Sequence, residues 1–341
     1  LLKPDSELDL ISRLAKKTAS AAHDPDLLAG IGDDCAVVAH NRDTLLAITT
    51  DTLVEGVHFD LAYFDPWHLG AKAAAVNLSD IAAMGARPRW AFLNIASRPG
   101  LPAGFWDAFM DGLFEKLSRF GAVLAGGDTV SAPHDLSVTL TLIGELAPGR
   151  CLRRSGARSG DIIYCSGPLG DAAAGLAYMK VRGHGHFHDA LPVSRFLKRP
   201  VERHLNPEPM VGLGEALAMS GLVSAAIDLS DGAATDLAHI CAASGLGAEL
   251  DASSLPISRA ARLISRALGL SPIRLAVSGG EDFELLWTVS IQNEPEMNRI
   301  AARSLGHPPF RIGRMIDGKG VRLNLNGRLV DITFCGYEHQ V

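Results

Sequence analysis

The segment from Asp65 to Gly85 constrains the fold more than any other part of the chain. Asp65-Pro66 reads as a helix start. An aspartate caps free N–H groups, and a proline at the first helical position gives up no needed donor. Gly85 supplies a left-handed stop. The residues between are largely Ala, Val, Leu, Ile and Met, which predicts a mostly buried helix to about Met84. Asp80 nevertheless sits inside it, with Asn77 three residues earlier on the same face. A buried ionised carboxylate is costly unless it is paired, hydrogen-bonded or bound to a metal.

Around this helix the sequence alternates strand-like and helix-like stretches. Leu45 to Thr50 is apolar and β-prone. A second helix is expected from Phe105 to Phe120, stopped by Gly121, and then a short strand from Ala122 to Ala125. Leu136, Val138, Leu140 and Leu142 alternate with Ser137, Thr139 and Thr141, the period of a strand with one buried face. Pro148-Gly149 is the expected boundary between two domains, 1–148 and 149–341. Beyond it, strands are expected over Asp161 to Ser166, Val223 to Asp228, Ile273 to Val277 and Phe283 to Val289. Helices are expected to open at Gly170-Asp171 and to follow the turn after Asp228. Residues 183–209, rich in Gly, His, Pro and Arg, read as a long excursion. The mixture predicts two domains of α/β or α+β type.

Hydrophobic residues make up 47% of the 341, enough for a sizeable core. The net charge of -6 argues against a general nucleic-acid binder. It leaves nucleotides open, because metal ions reverse the sign of an acidic site. No apolar run approaches the roughly 20 residues needed to span a bilayer, and residues 1–17 lack the pattern of a signal peptide. Five widely spaced cysteines, with no CxxC, fit reduced thiols in a cytoplasmic protein better than disulfides or a zinc site.

One local pattern recurs: a strand-like stretch ends in small residues, and carboxylates follow. It appears in Gly30-Ile31-Gly32-Asp33-Asp34, Thr49-Thr50-Asp51, Gly126-Gly127-Asp128-Thr129, Asp228-Leu229-Ser230-Asp231-Gly232 and Ser278-Gly279-Gly280-Glu281-Asp282. Asn77-Leu78-Ser79-Asp80 adds a helical instance. Glycines let backbone N–H groups approach a phosphate, and hydroxyls add donors or metal ligands. Carboxylates repel phosphate, so the combination makes sense with hard cations between them. Magnesium suits this, since it takes a few carboxylates plus phosphate oxygens. Each segment alone reads first as turn chemistry; six together point to metal-assisted phosphoryl transfer. There is no P-loop, and Gly212-Leu213-Gly214 is not a dinucleotide fingerprint. GxSxG and HExxH are absent. His184, His186 and His188 alternate and read as a functionally silent exposed loop before a transition-metal trap.

These segments, with Thr52-Leu53-Val54-Glu55-Gly56-Val57-His58-Phe59 and Ser278-Gly279-Gly280-Glu281-Asp282-Phe283-Glu284-Leu285, resemble thiamine-monophosphate kinase from about residue 5 to Tyr337, in order and rough spacing. That family belongs with aminoimidazole ribonucleotide synthetase, selenophosphate synthetase and a hydrogenase-maturation factor. The resemblance implies an N-terminal α/β domain that dimerises, a C-terminal α+β domain, and ATP in a cleft involving both. It implies transfer of the γ-phosphoryl of ATP to thiamine monophosphate. By position, Asp34, Thr49, Thr50, Asp51, Asp80, Asp128, Asp228 and Asp231 match a magnesium shell. Gly127, Asp128, Arg154 and Ser230 match ATP contacts, and His58, Glu281 and Tyr337 match contacts to the thiamine phosphate. Taken alone, Arg154 is equally a surface charge, while His58 reads first as a core histidine and Tyr337 as a packing residue.

The implied acceptor is itself a phosphate monoester, largely a dianion at neutral pH. No general base is therefore expected. The obstacle is repulsion, about 4 kcal/mol per pair of unit charges at 4 Å and an effective dielectric near 20. Several metal ions and no base are what this reaction asks for. Rival readings are another ATP-dependent synthetase of the superfamily acting on an amide or carbamoyl oxygen, a non-catalytic magnesium–nucleotide sensor, and a two-metal phosphatase. Selenophosphate synthesis is disfavoured by the lack of a reactive cysteine in a glycine-rich N-terminal segment. The hydrogenase factor is disfavoured by an end at Gln340-Val341 without cysteine. The start at Leu1 suggests a missing native start.

Overall fold

A computed structural model describes residues 7–21, 24–182 and 195–339. The first half runs α1 (Glu7–Ala21), β1 (Leu27–Ala29), β2 (Ala36–Ala39), β3 (Leu45–Val54), α2 (Pro66–Ala83), β4 (Arg87–Ser97), α3 (Phe105–Arg119), β5 (Val123–Ser131) and β6 (Ser137–Leu146). Its strands form one six-stranded sheet in the order β1-β2-β3-β6-β4-β5, antiparallel except for the parallel pair β4/β5. The predicted helix is α2. Asp65 Oδ1 accepts from the backbone N–H of His68 at 2.9 Å, and Pro66 opens the first turn. Leu69, Leu78, Ile81 and Met84 are fully buried.

Helices α2 and α3 approach at backbone contact. A Cβ on Gly70 would sit 1.9 Å from the carbonyl oxygen of Phe109, and one on Gly112 2.0 Å from that of Trp67. Any side chain at either position would push the helices apart.

The second half contains β7 (Ile162–Cys165), α4 (Asp171–Arg182), α5 (Arg195–Leu205), α6 (Val211–Ser220), β8 (Val223–Asp228), α7 (Ala233–Ser244), β9 (Gly247–Asp251), α8 (Arg259–Ala267), α9 (Pro272–Ser278), β10 (Leu285–Val289), α10 (Glu294–Leu305), β11 (Phe310–Ile316), β12 (Gly320–Leu325) and β13 (Arg328–Asp331). Its seven strands are ordered β13-β12-β9-β11-β7-β10-β8. The mixed α/β architecture with two sheets is the one expected. One hydrophobic core, including Leu78, Met84, Leu213, Leu217 and Trp287, runs through both halves, and a second lies within the C-terminal half.

Three local expectations change. Ile273 to Val277 is not a strand but most of helix α9. Ser271 caps it, accepting from Arg274 N at 3.3 Å, and Pro272 opens it, so a cap outweighs a short apolar run. The strand after Gly121 extends to Ser131. Part of the stretch read as an excursion is helix α5, which carries Pro200 in its interior. His184, His186 and His188 lie outside the described residues. No helix among the described residues is long and apolar enough to cross a membrane.

Candidate active site

Helix α2 brings Asp80 against the ends of two segments from different halves. Asp34 comes from the turn before β2, and Asp228 from the C-terminal end of β8. Carboxylate oxygens of Asp34, Asp80 and Asp228 all lie within 4.8 Å of one another. Asp51, on the α2-facing side of β3, stands next to Asp80, close enough for the two carboxyls to influence each other's ionisation. The Thr49 hydroxyl, two residues before Asp51 on the same strand face, donates to Asp80. Ser79 Oγ donates to Asp228 Oδ2 at 2.7 Å. Arg154 closes the far side, with Nη2 2.6 Å and Nε 3.2 Å from Asp34 Oδ1. Its backbone N–H donates to Asp33 Oδ1 at 2.9 Å.

So many buried acids in one place cannot all be ionised unaided. Burial drives the shifts, and neighbouring carboxylates add to them. Burial pushes Asp51 up to about 6 and Asp228 up to about 8. Asp80 goes well above the usual range, first by burial and then by repulsion from Asp51, Asp228 and Asp34. Asp34 Oδ2 is buried without a hydrogen-bond partner. An all-oxygen set with mutual repulsion and an orphaned acceptor is the donor chemistry of a hard divalent cation. These residues fit magnesium.

A cavity of about 480 Å³ opens beside the acids and is lined by Asp51, Asp80, Asp228, Ser230 and Asp231 at one end. His58, Tyr63, His204, Glu281 and Tyr337 line the rest. The size suits a small organic molecule. Glu281 has a left-handed backbone, φ 67°, held by its N–H bond to the Ser230 carbonyl at 2.7 Å. His58 Nδ1 accepts from Val54 N at 3.0 Å, which leaves the proton on Nε2. Its ring centroid lies 5.1 Å from that of His339, which meets the Tyr337 ring edge-on at 4.8 Å. Tyr337 is tied to the acidic end by its N–H bond to the Asp231 carbonyl at 3.0 Å.

Of the residues singled out from the sequence, Asp34, Thr49, Asp51, Asp80, Arg154, Asp228, Ser230 and Asp231 come together, and His58, Glu281 and Tyr337 line the adjoining cavity. Thr50, Gly127 and Asp128 do not join them within one chain. Register across the sheet runs Thr52, Thr139, Asn94, Asp128 on strands β3, β6, β4 and β5. Three strand spacings put Asp128 about 14 Å from Thr52 along the sheet. This row belongs to the sheet's outer face, opposite the one that carries Asp51 and packs on α2. Thr50 also lies on that outer face, accepting from the Thr141 hydroxyl at 3.0 Å. Gly127 is pressed on β4: a Cβ there would sit 1.8 Å from the Leu93 carbonyl oxygen.

Sequence reasoning missed Lys72, Tyr63, His204 and Asp236. Lys72 was the readable one, a lone cation in the Ala-rich helix. Asp236 resembles an ordinary first-turn acid of α7. It is 2% exposed and accepts from Gly232 N at 3.0 Å, bracing the Asp228–Gly232 turn.

Two sheet-and-helix halves that share a buried acid cluster place the chain in a recognisable class. The family described as AIR synthase related protein, N-terminal domain, matches residues 32–146, and AIR synthase related protein, C-terminal domain, matches 158–326. The chain is 43% identical to the thiamine-monophosphate kinase of Salmonella typhimurium over 98% of both chains. It is 35% identical to that of Bacillus subtilis over 90% of both. A crystal structure of thiamine-monophosphate kinase from Stenotrophomonas maltophilia superposes with a TM-score of 0.76, at 38% identity, covering 94% of this chain and 96% of the other. A structure of AaThiL complexed with AMPPCP and TMP gives 0.81 at 29% identity, covering 98% and 97%. The chain belongs to the thiamine-monophosphate kinase family.

Proposed function

We propose that this protein transfers the γ-phosphoryl group of ATP to thiamine monophosphate, giving thiamine diphosphate and ADP. The observation that carries this reading is the junction of the buried acid centre with the 480 Å³ cavity. It is supported by a structure of a family relative complexed with AMPPCP and TMP.

In this reading residues 1–148 supply Asp34, Thr49, Asp51 and Asp80, and residues 149–341 supply Asp228 and Asp231. These groups would hold magnesium. Magnesium bound there would supply charge neutralisation between two polyanions and stabilise charge on the β,γ-bridge. Burial raises the pKa of Asp34, while Arg154 opposes that shift and orients the carboxylate, and Ser230 lies where nucleotide oxygens arrive. His58, Glu281 and Tyr337 bind the acceptor and aim its phosphate at the acids. None of these side chains is asked to remove a proton, because the acceptor oxygen is already anionic. The five cysteines are free thiols, in keeping with a reducing cytoplasm.

We further propose that the working unit is a homodimer. A metal–oxygen bond of about 2.1 Å cannot bridge Asp51 and Asp128 of one chain, given their separation across the sheet and their opposite faces. The outer sheet face exposes Phe92, Val123 and Val130 beside Thr50 and Asp128. A second copy against this face would bring its Gly127-Asp128 to the rim of the first copy's acid centre.

The test is ADP release from ATP and magnesium with and without thiamine monophosphate. Thiamine-phosphate-dependent ADP with matching thiamine diphosphate is expected. ADP formation indifferent to thiamine phosphate overturns the reading.

A further inference from the structure

Lys72 is wholly buried, 0% exposed, on a helix whose neighbouring positions are Ala and Gly. A buried ammonium is destabilising unless it meets a carboxylate in good geometry. Here its Nζ lies 2.6 Å from Glu281 Oε1 and 5.2 Å from the centroid of the Phe64 ring. The other oxygen, Glu281 Oε2, is 2.8 Å from Nδ1 of His204, which is itself 2% exposed and lies on α5. The residue next to His204 on α5, Arg203, pairs with Glu284 three positions beyond Glu281. Helices α2 and α5 thus grip the left-handed turn from two sides.

A purely structural ion pair would be sealed on every side. This one is not: the Glu281 side chain is 27% exposed and faces the cavity, with Lys72 behind it and His204 beside it on the cavity wall. A carboxylate has about four lone-pair positions, so two partners leave acceptor capacity toward the cavity. Tyr63 and Phe283 add aromatic surface beside it.

We propose that Lys72 and His204 are positioning residues that fix Glu281 as an acceptor for an amino-substituted heteroaromatic cation, and so govern acceptor affinity rather than the transfer step. This rests on the thiamine-phosphate reading above, since that acceptor carries an aminopyrimidine and a thiazolium ring.

The experiment measures steady-state kinetics of Lys72→Met, His204→Gln, Glu281→Gln and the double variant Lys72→Met/Glu281→Gln. Lys72→Met is expected to raise KM for thiamine monophosphate roughly tenfold or more, the scale of a lost charge-assisted hydrogen bond. KM for ATP and kcat should stay within about threefold. His204→Gln should move the same constant in the same direction. Adding Lys72→Met to Glu281→Gln should change KM by less than about twofold, because the carboxylate being positioned is already gone. An unchanged KM in Lys72→Met overturns the proposal, as does a fall in kcat at constant KM. If Lys72→Met alone does not fold, the double variant decides. It replaces a buried ion pair with uncharged groups of similar size, and a further tenfold loss over Glu281→Gln overturns the proposal. Wild-type protein lacking any thiamine-phosphate-dependent turnover would instead refute the kinase reading and is seen in the same assay.

Discussion

Ser79 on helix α2 donates a 2.7 Å hydrogen bond to Asp228 at the end of strand β8, joining the two halves of the chain inside the acid centre. Both residues are buried, at 0% and 2% exposure. Ser79→Ala leaves a buried carboxylate oxygen without its donor. Stability to urea should fall by about 1–3 kcal/mol, and the magnesium concentration needed for half-maximal turnover should rise. A variant matching wild type in both would show that the contact has no part in holding Asp228.

Asp80 stands among Asp34, Asp51 and Asp228, so its charge opposes folding in the absence of a cation, and in the proposed reading it is a magnesium ligand. Asp80→Asn should lower turnover by at least about a hundredfold, yet leave the metal-free melting temperature equal or higher. Magnesium should raise the melting temperature of wild type and do so much less in the variant. Near-normal turnover at moderate magnesium would remove Asp80 from this role.

Asp128 faces away from its own chain's acids, so a site completed by a second copy predicts complementation. Asp128→Asn and Asp80→Asn should each be inactive alone. Mixed after partial unfolding and reannealing, they should regain about a quarter of wild-type activity, since half the dimers are hybrid and each hybrid has one intact site. No recovery from mixtures that do form hybrids would return Asp128 to its own chain.

His68 lies away from the cavity and reports on stability alone. Its Nδ1 is 2.8 Å from Asp65 Oδ2, and Nε2 is 3.9 Å from Glu202 Oε2. Burial alone would lower its pKa, but the two carboxylates outweigh burial and raise it from 6.5 to about 9. A folded-state pKa above the unfolded one stabilises fully below the unfolded value and is lost as pH rises through the folded one. The melting temperature should therefore decline between pH 6.5 and 9. His68→Gln should flatten that decline, and parallel pH curves would show that His68 is not its source.

Local chemistry was legible wherever one residue decides one conformation. Asp65-Pro66 marks the start of α2, and Gly121 marks the end of α3, because caps act within a turn of the chain. Ile273 to Val277 was misread because a short apolar run fits strand or helix alike, although Ser271-Pro272 already carried the deciding cap. Helix α5 was hidden by Pro200 and by a composition that mimics a loop.

At the site, residue types were legible and partnerships were not. Repeated small-residue–acid segments marked Asp34, Asp51, Asp80 and Asp228. Their convergence, and the separation of Asp128 from them, depend on strand order and sheet face, which no local pattern encodes. Glu281 was visible through its motif, whereas its anchor Lys72 is 209 residues away in sequence.

Lys72 and Asp80 occupy one unbroken helix, α2, eight residues apart, which is about 12 Å of axial rise. One end of that rod backs Glu281 on the cavity wall, and the other carries Asp80 into the acid centre. A helix neither stretches nor compresses appreciably, so it acts as a molecular ruler between the two tasks.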